Sequence, residues 1–306
     1  MVLYLVLSHT NPEQVGRLCR RLLFFRDAAV RIHHDQAGPT FDTGLIRGLP
    51  NVGFVEPSIS PRWGRFSQVQ AVLNAIASFI EQRLPYDWLV LLSGQDYPTQ
   101  RVDAFHHSLA TTKADGFLDY VNAAQRFVDE NATRYYYRYY QLPTGLEPFA
   151  ARLWRINASQ NYVRVRGSRL GAFLGLADRE PFSEHVRCFR GSFWWTLHRR
   201  CAEYLHHYVR DHPDFVQHYR DKLHPDESFV QSVLLNAGRF QLHNDDLRYL
   251  RWDDPLSGSP ALLREGDFAA ITAAGKAHAR KFDSRVDPAI LDRIDCDIHG
   301  IEPPRG

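Results

Sequence analysis

Apolar residues along this chain fall into two rhythms: short uninterrupted runs that close on polar clusters, and helical spacings that follow those clusters. The run Val2-Leu3-Tyr4-Leu5-Val6-Leu7 predicts a buried strand ending at Ser8-His9-Thr10. Asn11-Pro12-Glu13 opens a helix with Val15, Leu18, Leu22 and Leu23 on its apolar face. A second strand, Ala29-Val30-Arg31-Ile32-His33-His34, stops at Asp35. Strand, helix and strand in that order imply a right-handed crossover and a parallel sheet.

The alternation continues. Val52-Gly53-Phe54-Val55 predicts a short strand, and a proline-bounded turn leads to Trp63-Gly64. Ser67 opens an amphipathic helix through Val69, Val72, Leu73, Ile76 and Ile80. Residues 86–92 form the clearest central strand, which closes on Ser93-Gly94-Gln95-Asp96-Tyr97-Pro98. Further strands are predicted at residues 115–120, in the aromatic run after Arg190-Gly191-Ser192, and across residues 244–252. Helices follow with Tyr204, Leu205 and Tyr208, then with Phe229, Val230, Val233 and Leu234, and last over residues 288–294, before a tail at 302–306.

At 306 residues, 44% hydrophobic and 24% charged, the chain suits one large α/β unit or two small ones and excludes wholesale disorder. A formal charge of +2 gives no general attraction to nucleic acid or to a membrane surface, so anion binding must come from local clusters. Cys19, Cys188, Cys201 and Cys296 lack the spacing of a zinc site or a disulfide frame and read as reduced core thiols. The N-terminal run has no basic segment before it and no cleavage site after it, which favours a strand over a secretion signal. No other stretch approaches the ~20 apolar residues that span a bilayer. The expected location is cytoplasmic, where the glycosylation patterns Asn131-Ala132-Thr133 and Asn157-Ala158-Ser159 have no meaning.

Candidate chemistry collects at the ends of these elements. His224-Pro225-Asp226-Glu227-Ser228 sets two carboxylates at a predicted helix start. The positive end of a helix dipole favours an ionised carboxylate unless burial opposes it, which makes Glu227 a candidate general base; Asp and Glu at such a start also act as plain caps. Ligands of a parallel sheet gather beyond the carboxyl ends of its strands, where His9 and His33-His34-Asp35 fall. Asp96, beside Gly94 at a strand end, suits sugar or ribose hydroxyls, or closes an Asx-turn. The aromatic run 134–140, with Trp154, Arg155 and Tyr162, reads either as a stacking surface for sugar rings or as tyrosines packed in a twisted strand pair. Arg280-Lys281 beside Phe282 reads either as a diphosphate clamp or as a solvated basic pair.

Taken in order, Ser8-His9, Ile32-His33-His34-Asp35, Trp63-Gly64, Leu92 to Pro98, Gly191-Ser192-Phe193-Trp194-Trp195, Pro225-Asp226-Glu227-Ser228-Phe229, Leu247-Arg248-Tyr249 with Trp252, and Ala279-Arg280-Lys281-Phe282-Asp283 form a pattern. It resembles the core-2/I-branching β-1,6-N-acetylglucosaminyltransferase and peptide O-xylosyltransferase family over nearly the whole chain. The resemblance implies a single α/β domain over residues 1–306. Its fold would be a GT-A-like (Rossmann-like) glycosyltransferase fold, with a mostly parallel central sheet flanked by helices. It further implies inverting transfer from a UDP-sugar, GlcNAc or xylose foremost, to a hydroxyl of a glycan or glycoconjugate acceptor. The family's base maps onto Glu227. Arg280 and Lys281, with Arg248 assisting, match the basic side chains that hold the diphosphate in place of a metal. No metal or other cofactor is therefore expected. Asp35 matches a position near the nucleoside, Asp96 and Trp194 match positions near the transferred sugar, and His9 and Trp63 join them as donor-binding residues.

The residues agree with that chemistry, since an inverting displacement needs one base and one anion clamp. A metal-dependent relative would show Asp-x-Asp at a strand end, a spacing that Asp245-Asp246 and Asp253-Asp254 lack, so activity in EDTA is expected. Phe193 stands where xylosyltransferases carry an acidic residue, and neither the anchor nor the disulfides of secreted eukaryotic members are evident. The pattern looks like a bacterial-type enzyme of exopolysaccharide or lipopolysaccharide assembly. Such an enzyme has no nucleic-acid partner and meets a membrane only peripherally, through a lipid-linked acceptor. The alternative is a catalytically silent sugar- or nucleotide-binding relative. A glycoside hydrolase would need a second carboxylate facing Glu227 across the bond.

Overall fold

A computed structural model describes residues 1–24, 27–123, 133–153, 155–168, 171–178, 181–254 and 258–301. Trp154, Asn131-Ala132 of the first glycosylation pattern and the tail at 302–306 lie outside the described residues.

The central sheet has seven strands in the order Leu242–Asn244, Gly116–Leu118, Trp195–His198, Trp88–Ser93, Val2–Ser8, Ala28–His34 and Val52–Phe54. Trp195–His198 runs antiparallel to both of its neighbours, and every other pair in this sheet is parallel. The mostly parallel α/β architecture is therefore as the alternating strand and helix pattern predicts.

Side chains alternate across a strand, so apolar runs cover both faces of the sheet. Leu3, Leu5, Leu89 and Leu91 pack with residues of the helices Phe66–Glu81, Arg199–Asp211 and Phe229–Asn236. Tyr4, Val6, Val90 and Leu92 pack with the helices Pro12–Leu22, Val102–Thr111 and Ala289–Asp297. Each fully buried Val or Leu contributes about 1.5–3 kcal/mol, which fixes the sheet between its helices and leaves the strand ends for chemistry.

Three small sheets extend this frame. One joins Arg248–Leu250, His278–Arg280 and Tyr97–Pro98; a second pairs Phe189–Arg190 with Val121–Asn122. The third is antiparallel and runs Tyr137–Gln141, Gly171–Ala177, Val163–Ser168. The expected strand over residues 244–252 is in fact two strands in different sheets. They are separated by Leu247 in the left-handed region at φ 60°. The run 134–140 starts as a short helix, Thr133–Tyr136, before its strand. Tyr135, Tyr136, Tyr137 and Tyr139 are buried, so the tyrosines pack core as the twisted-strand reading has it, while Arg138, Tyr140 and Tyr162 remain exposed. Cys19, Cys188 and Cys201 are buried thiols, whereas Cys296 is exposed, contrary to expectation. Among the described residues no helix is long and apolar enough to cross a membrane.

Candidate active site

Glu227 sits on a turn that two distant segments, one at Gly64 and one at 189–191, hold in place. Pro225–Glu227 is a 3-10 turn, Ser228 breaks it at φ −143°, and the helix begins only at Phe229. His224 enters at φ 50°, and its N–H donates to the Gly64 carbonyl at 3.0 Å. Gly64 has φ 66°, and a Cβ there would stand 3.1 Å from the His224 ring. The Gly191 N–H donates to the Glu227 carbonyl at 2.7 Å, and a Cβ on Gly191 would run into the Asp119 carbonyl. Glycine is what lets the two backbones pass so closely. The Ser228 hydroxyl completes the seam by donating to the Phe189 carbonyl at 2.6 Å.

Charge around this turn is balanced by burial and by arginines. Arg134 Nη1 donates to Glu227 Oε2 at 3.0 Å, and His224 Nδ1 lies 3.8 Å from Oε1. Loss of water raises the Glu227 carboxyl above its ordinary value, while Arg134 and Arg190 oppose that rise. Asp226 is buried, and among the described residues its Oδ1 has no hydrogen-bond partner. Burial pushes it up to about 8, with the neighbouring Glu227 charge adding to the effect. Asp226 therefore holds its proton at neutral pH. Burial drives His224 down to about 3, helped by Arg134, Arg166 and Arg65, so its ring is neutral. The expectation of a helix dipole keeping Glu227 ionised is corrected, because the residue precedes the helix and desolvation dominates.

Glu227 opens into a cleft of about 970 Å³. His9, Trp63, Trp194, Arg280 and Lys281 line it as well, so six of the nine expected site residues share one space. Arg280 lies with its guanidinium carbon 4.2 Å from the Trp194 ring centroid, and Lys281 Nζ donates to Ser259 Oγ at 2.6 Å. Asp96 and Arg248 stand behind this wall. Asp96 has no exposed surface: one oxygen accepts the Ser93 N–H, and the other is 3.5 Å from Arg280 Nε. Arg248 is buried and donates to the carbonyls of Asp246 and Leu91. Asp35 accepts the Ala37 N–H at 2.9 Å in an Asx-turn outside the cleft lining. Its charge still reaches His9, whose imidazole burial and Lys281 hold below the usual range.

Other residues stand at the cleft in places not expected from the sequence. Arg134 and Arg190 bear on Glu227, and Asp119, Asp245 and Asp246 line the cleft. No local signal marks Arg134 as a partner of Glu227, because the contact is tertiary. His224, Asp226 and Glu227 offer ligand atoms within 4.8 Å of one another, the chemistry of a possible cation site. Arg134 already occupies Glu227 Oε2, and Arg65 and Arg166 add positive charge at His224, so the field there opposes a divalent ion.

One cleft on the α/β frame thus presents a carboxylate, Glu227, at one place and two cations, Arg280 and Lys281, at another. The Core-2/I-Branching enzyme profile matches residues 4–286, and the chain belongs to that family. Beta-glucuronosyltransferase GlcAT14B of Arabidopsis thaliana is 24% identical over 310 residues, which cover 99% of this chain and 64% of that protein. Xylosyltransferase 2 of Homo sapiens is 23% identical over 281 residues, 85% of this chain and 29% of that protein. A Danio rerio beta-1,3-galactosyl-O-glycosyl-glycoprotein beta-1,6-N-acetylglucosaminyltransferase 4 is 21% identical over 315 residues, 95% of this chain and 68% of that protein. The chain thus spans less than two thirds of the plant relative's length. Mouse Xyloside xylosyltransferase 1 in its apo form aligns over 89% of this chain and 94% of that chain, with a TM-score of 0.30 at 11% identity.

Proposed function

We propose that this chain is an inverting glycosyltransferase moving one sugar from a UDP-sugar to a hydroxyl of a glycan or glycoconjugate acceptor. The observation that carries the reading is that Glu227 and the pair Arg280 and Lys281 open into one cleft. Glu227 takes the acceptor hydroxyl's proton as that oxygen bonds to the anomeric carbon. The bond to UDP breaks in the same displacement, and Arg280 and Lys281 receive the charge on the departing diphosphate. Arg280 is a fixed cation stacked on Trp194, whereas Lys281 is a compact charge on a flexible stem. Asp96 acts behind them by orienting Arg280. Side chains meet the leaving charge, so the reaction needs no divalent metal.

The names of the relatives span glucuronosyl, xylosyl and N-acetylglucosaminyl transfer, and the donor sugar belongs to that set. The test is UDP release in EDTA from the three UDP-sugars, with and without an acceptor panel. Glu227→Gln should lower turnover by about 10²–10⁴-fold, the usual contribution of a positioned base, while UDP affinity stays unchanged. A fully active Glu227→Gln variant, or strict dependence on added manganese, overturns the mechanism.

A further inference from the structure

Beside Glu227 lie an exposed aromatic ring and cations that the transfer step itself does not use. Trp63 is 41% exposed, lines the cleft and meets the His224 ring edge-on at 4.7 Å. Arg65 follows two residues later and stacks its guanidinium carbon 4.9 Å from the Phe173 ring centroid. Among the described residues its guanidinium N–H groups find no hydrogen-bond acceptor, while its backbone N–H donates to the Arg62 carbonyl at 3.1 Å. The carboxylate whose charge reaches it, Asp221, is shared with Arg138 at 3.5 Å. Arg166, the register partner of Phe173, shares that face of the small sheet. Its Nη1 donates to Thr133 Oγ1 at 2.9 Å, one residue before Arg134.

An exposed indole and a half-buried, stacked guanidinium, both bearing on His224, suit a pyranose ring that carries negative charge. The ring's C–H face stacks on the tryptophan, and the anion takes the planar N–H fork. We infer that Trp63, Arg65 and Arg134 form the acceptor subsite, and that the acceptor sugar bears an anionic group, a carboxylate or a phosphate. Trp63, expected with the donor, is thereby placed at the acceptor end. This rests on Glu227 being the base of the transfer. Arg134 then acts as a latch. The incoming anion competes for its N–H groups and frees Glu227 Oε2 for the proton of the attacking hydroxyl. A neutral acceptor leaves that pair closed.

The test is calorimetric binding with UDP kept saturating, so that Arg280 and Lys281 are occupied. The probes are p-nitrophenyl β-D-glucoside, its 6-phosphate and p-nitrophenyl β-D-glucuronide. At least one anionic probe should bind roughly tenfold tighter than the glucoside, the scale of one charge-assisted hydrogen bond. Whichever does so distinguishes a phosphate from a carboxylate source. Arg65→Gln should abolish the preference with UDP affinity unchanged, and Trp63→Ala should weaken all three probes alike. Equal affinities, binding of none, or a preference that survives Arg65→Gln overturns the inference. Binding is read without turnover, so these outcomes are distinct from failure of the transfer reading, which shows as activity in Glu227→Gln.

Discussion

Arg134 and Glu227 stand 93 residues apart in the chain and meet at 3.0 Å between Nη1 and Oε2. The guanidinium holds down a carboxyl that burial raises, so Arg134→Gln lifts the Glu227 pKa further. A general base works only when deprotonated. The acid limb of kcat/KM should therefore move to higher pH in the variant, with activity recovering as pH is raised. A pH profile of sugar transfer checks this, and an unmoved limb means that another group sets it.

Asp96 and Arg280 form the second relationship that the proposed mechanism needs. Asp96→Asn leaves a buried guanidinium without its counter-charge, a loss that typically costs about 3–5 kcal/mol. Thermal unfolding should occur several degrees lower, and UDP should bind more weakly because Arg280 loses its position over Trp194. Lys281→Gln should behave differently, weakening UDP about tenfold with little change in stability, since Lys281 lines the cleft. Melting curves with and without UDP separate the two cases. An Asp96→Asn variant as stable as the parent removes Asp96 from its orienting role.

The contrast between these residues shows what the sequence makes legible. Strands such as Trp88–Ser93 and Val2–Ser8 are apolar throughout because both faces are covered, and that pattern survives in one dimension. Trp63-Gly64, Gly191 and the turn 224–228 are visible as odd residues at element ends, although their mutual packing is not. Asp96 reads from sequence as a ligand for hydroxyls because a carboxylate at a strand end beside glycine has no visible partner. Its partner arrives on a strand near the end of the chain. The Tyr135 to Tyr139 run stays open in one dimension between a stacking surface and packed tyrosines, since aromatic density alone does not reveal burial. Arg134 is silent for the same reason: its meaning lies wholly in a contact that only folding creates.

Asp226 gives the fold a pH dependence with a definite sign. Its carboxyl ordinarily titrates at 3.8 and is pushed up to about 8 in the folded protein, chiefly by burial. Between those values the folded state binds a proton that the unfolded chain does not, so stability falls as pH rises through the window. Glu227, also raised, contributes in the same direction. Asp226→Asn should flatten the slope of denaturation midpoint against pH. Stability that rises across the window, or a slope unchanged in the variant, rules out the buried proton.

His278 carries the opposite sign. It is 1% exposed and sits edge-on to Phe105 at 5.2 Å, and among the described residues neither ring nitrogen has a hydrogen-bond partner. Burial holds its pKa well below 6.5, and the Arg248 charge adds to that. As pH falls below 6.5, the unfolded chain takes up a proton that the folded protein refuses, and stability declines. An unsatisfied buried polar group costs about 1–3 kcal/mol, so His278→Leu should raise the denaturation midpoint at neutral pH and blunt acid unfolding. The expected gain is on the order of 1 kcal/mol, because leucine does not reproduce the flat ring packed against Phe105. A variant that is less stable at every pH shows instead that the imidazole is satisfied in solution by an ordered water. Acid unfolding would then be governed elsewhere, with His106, held near 4 by burial, the next group to replace.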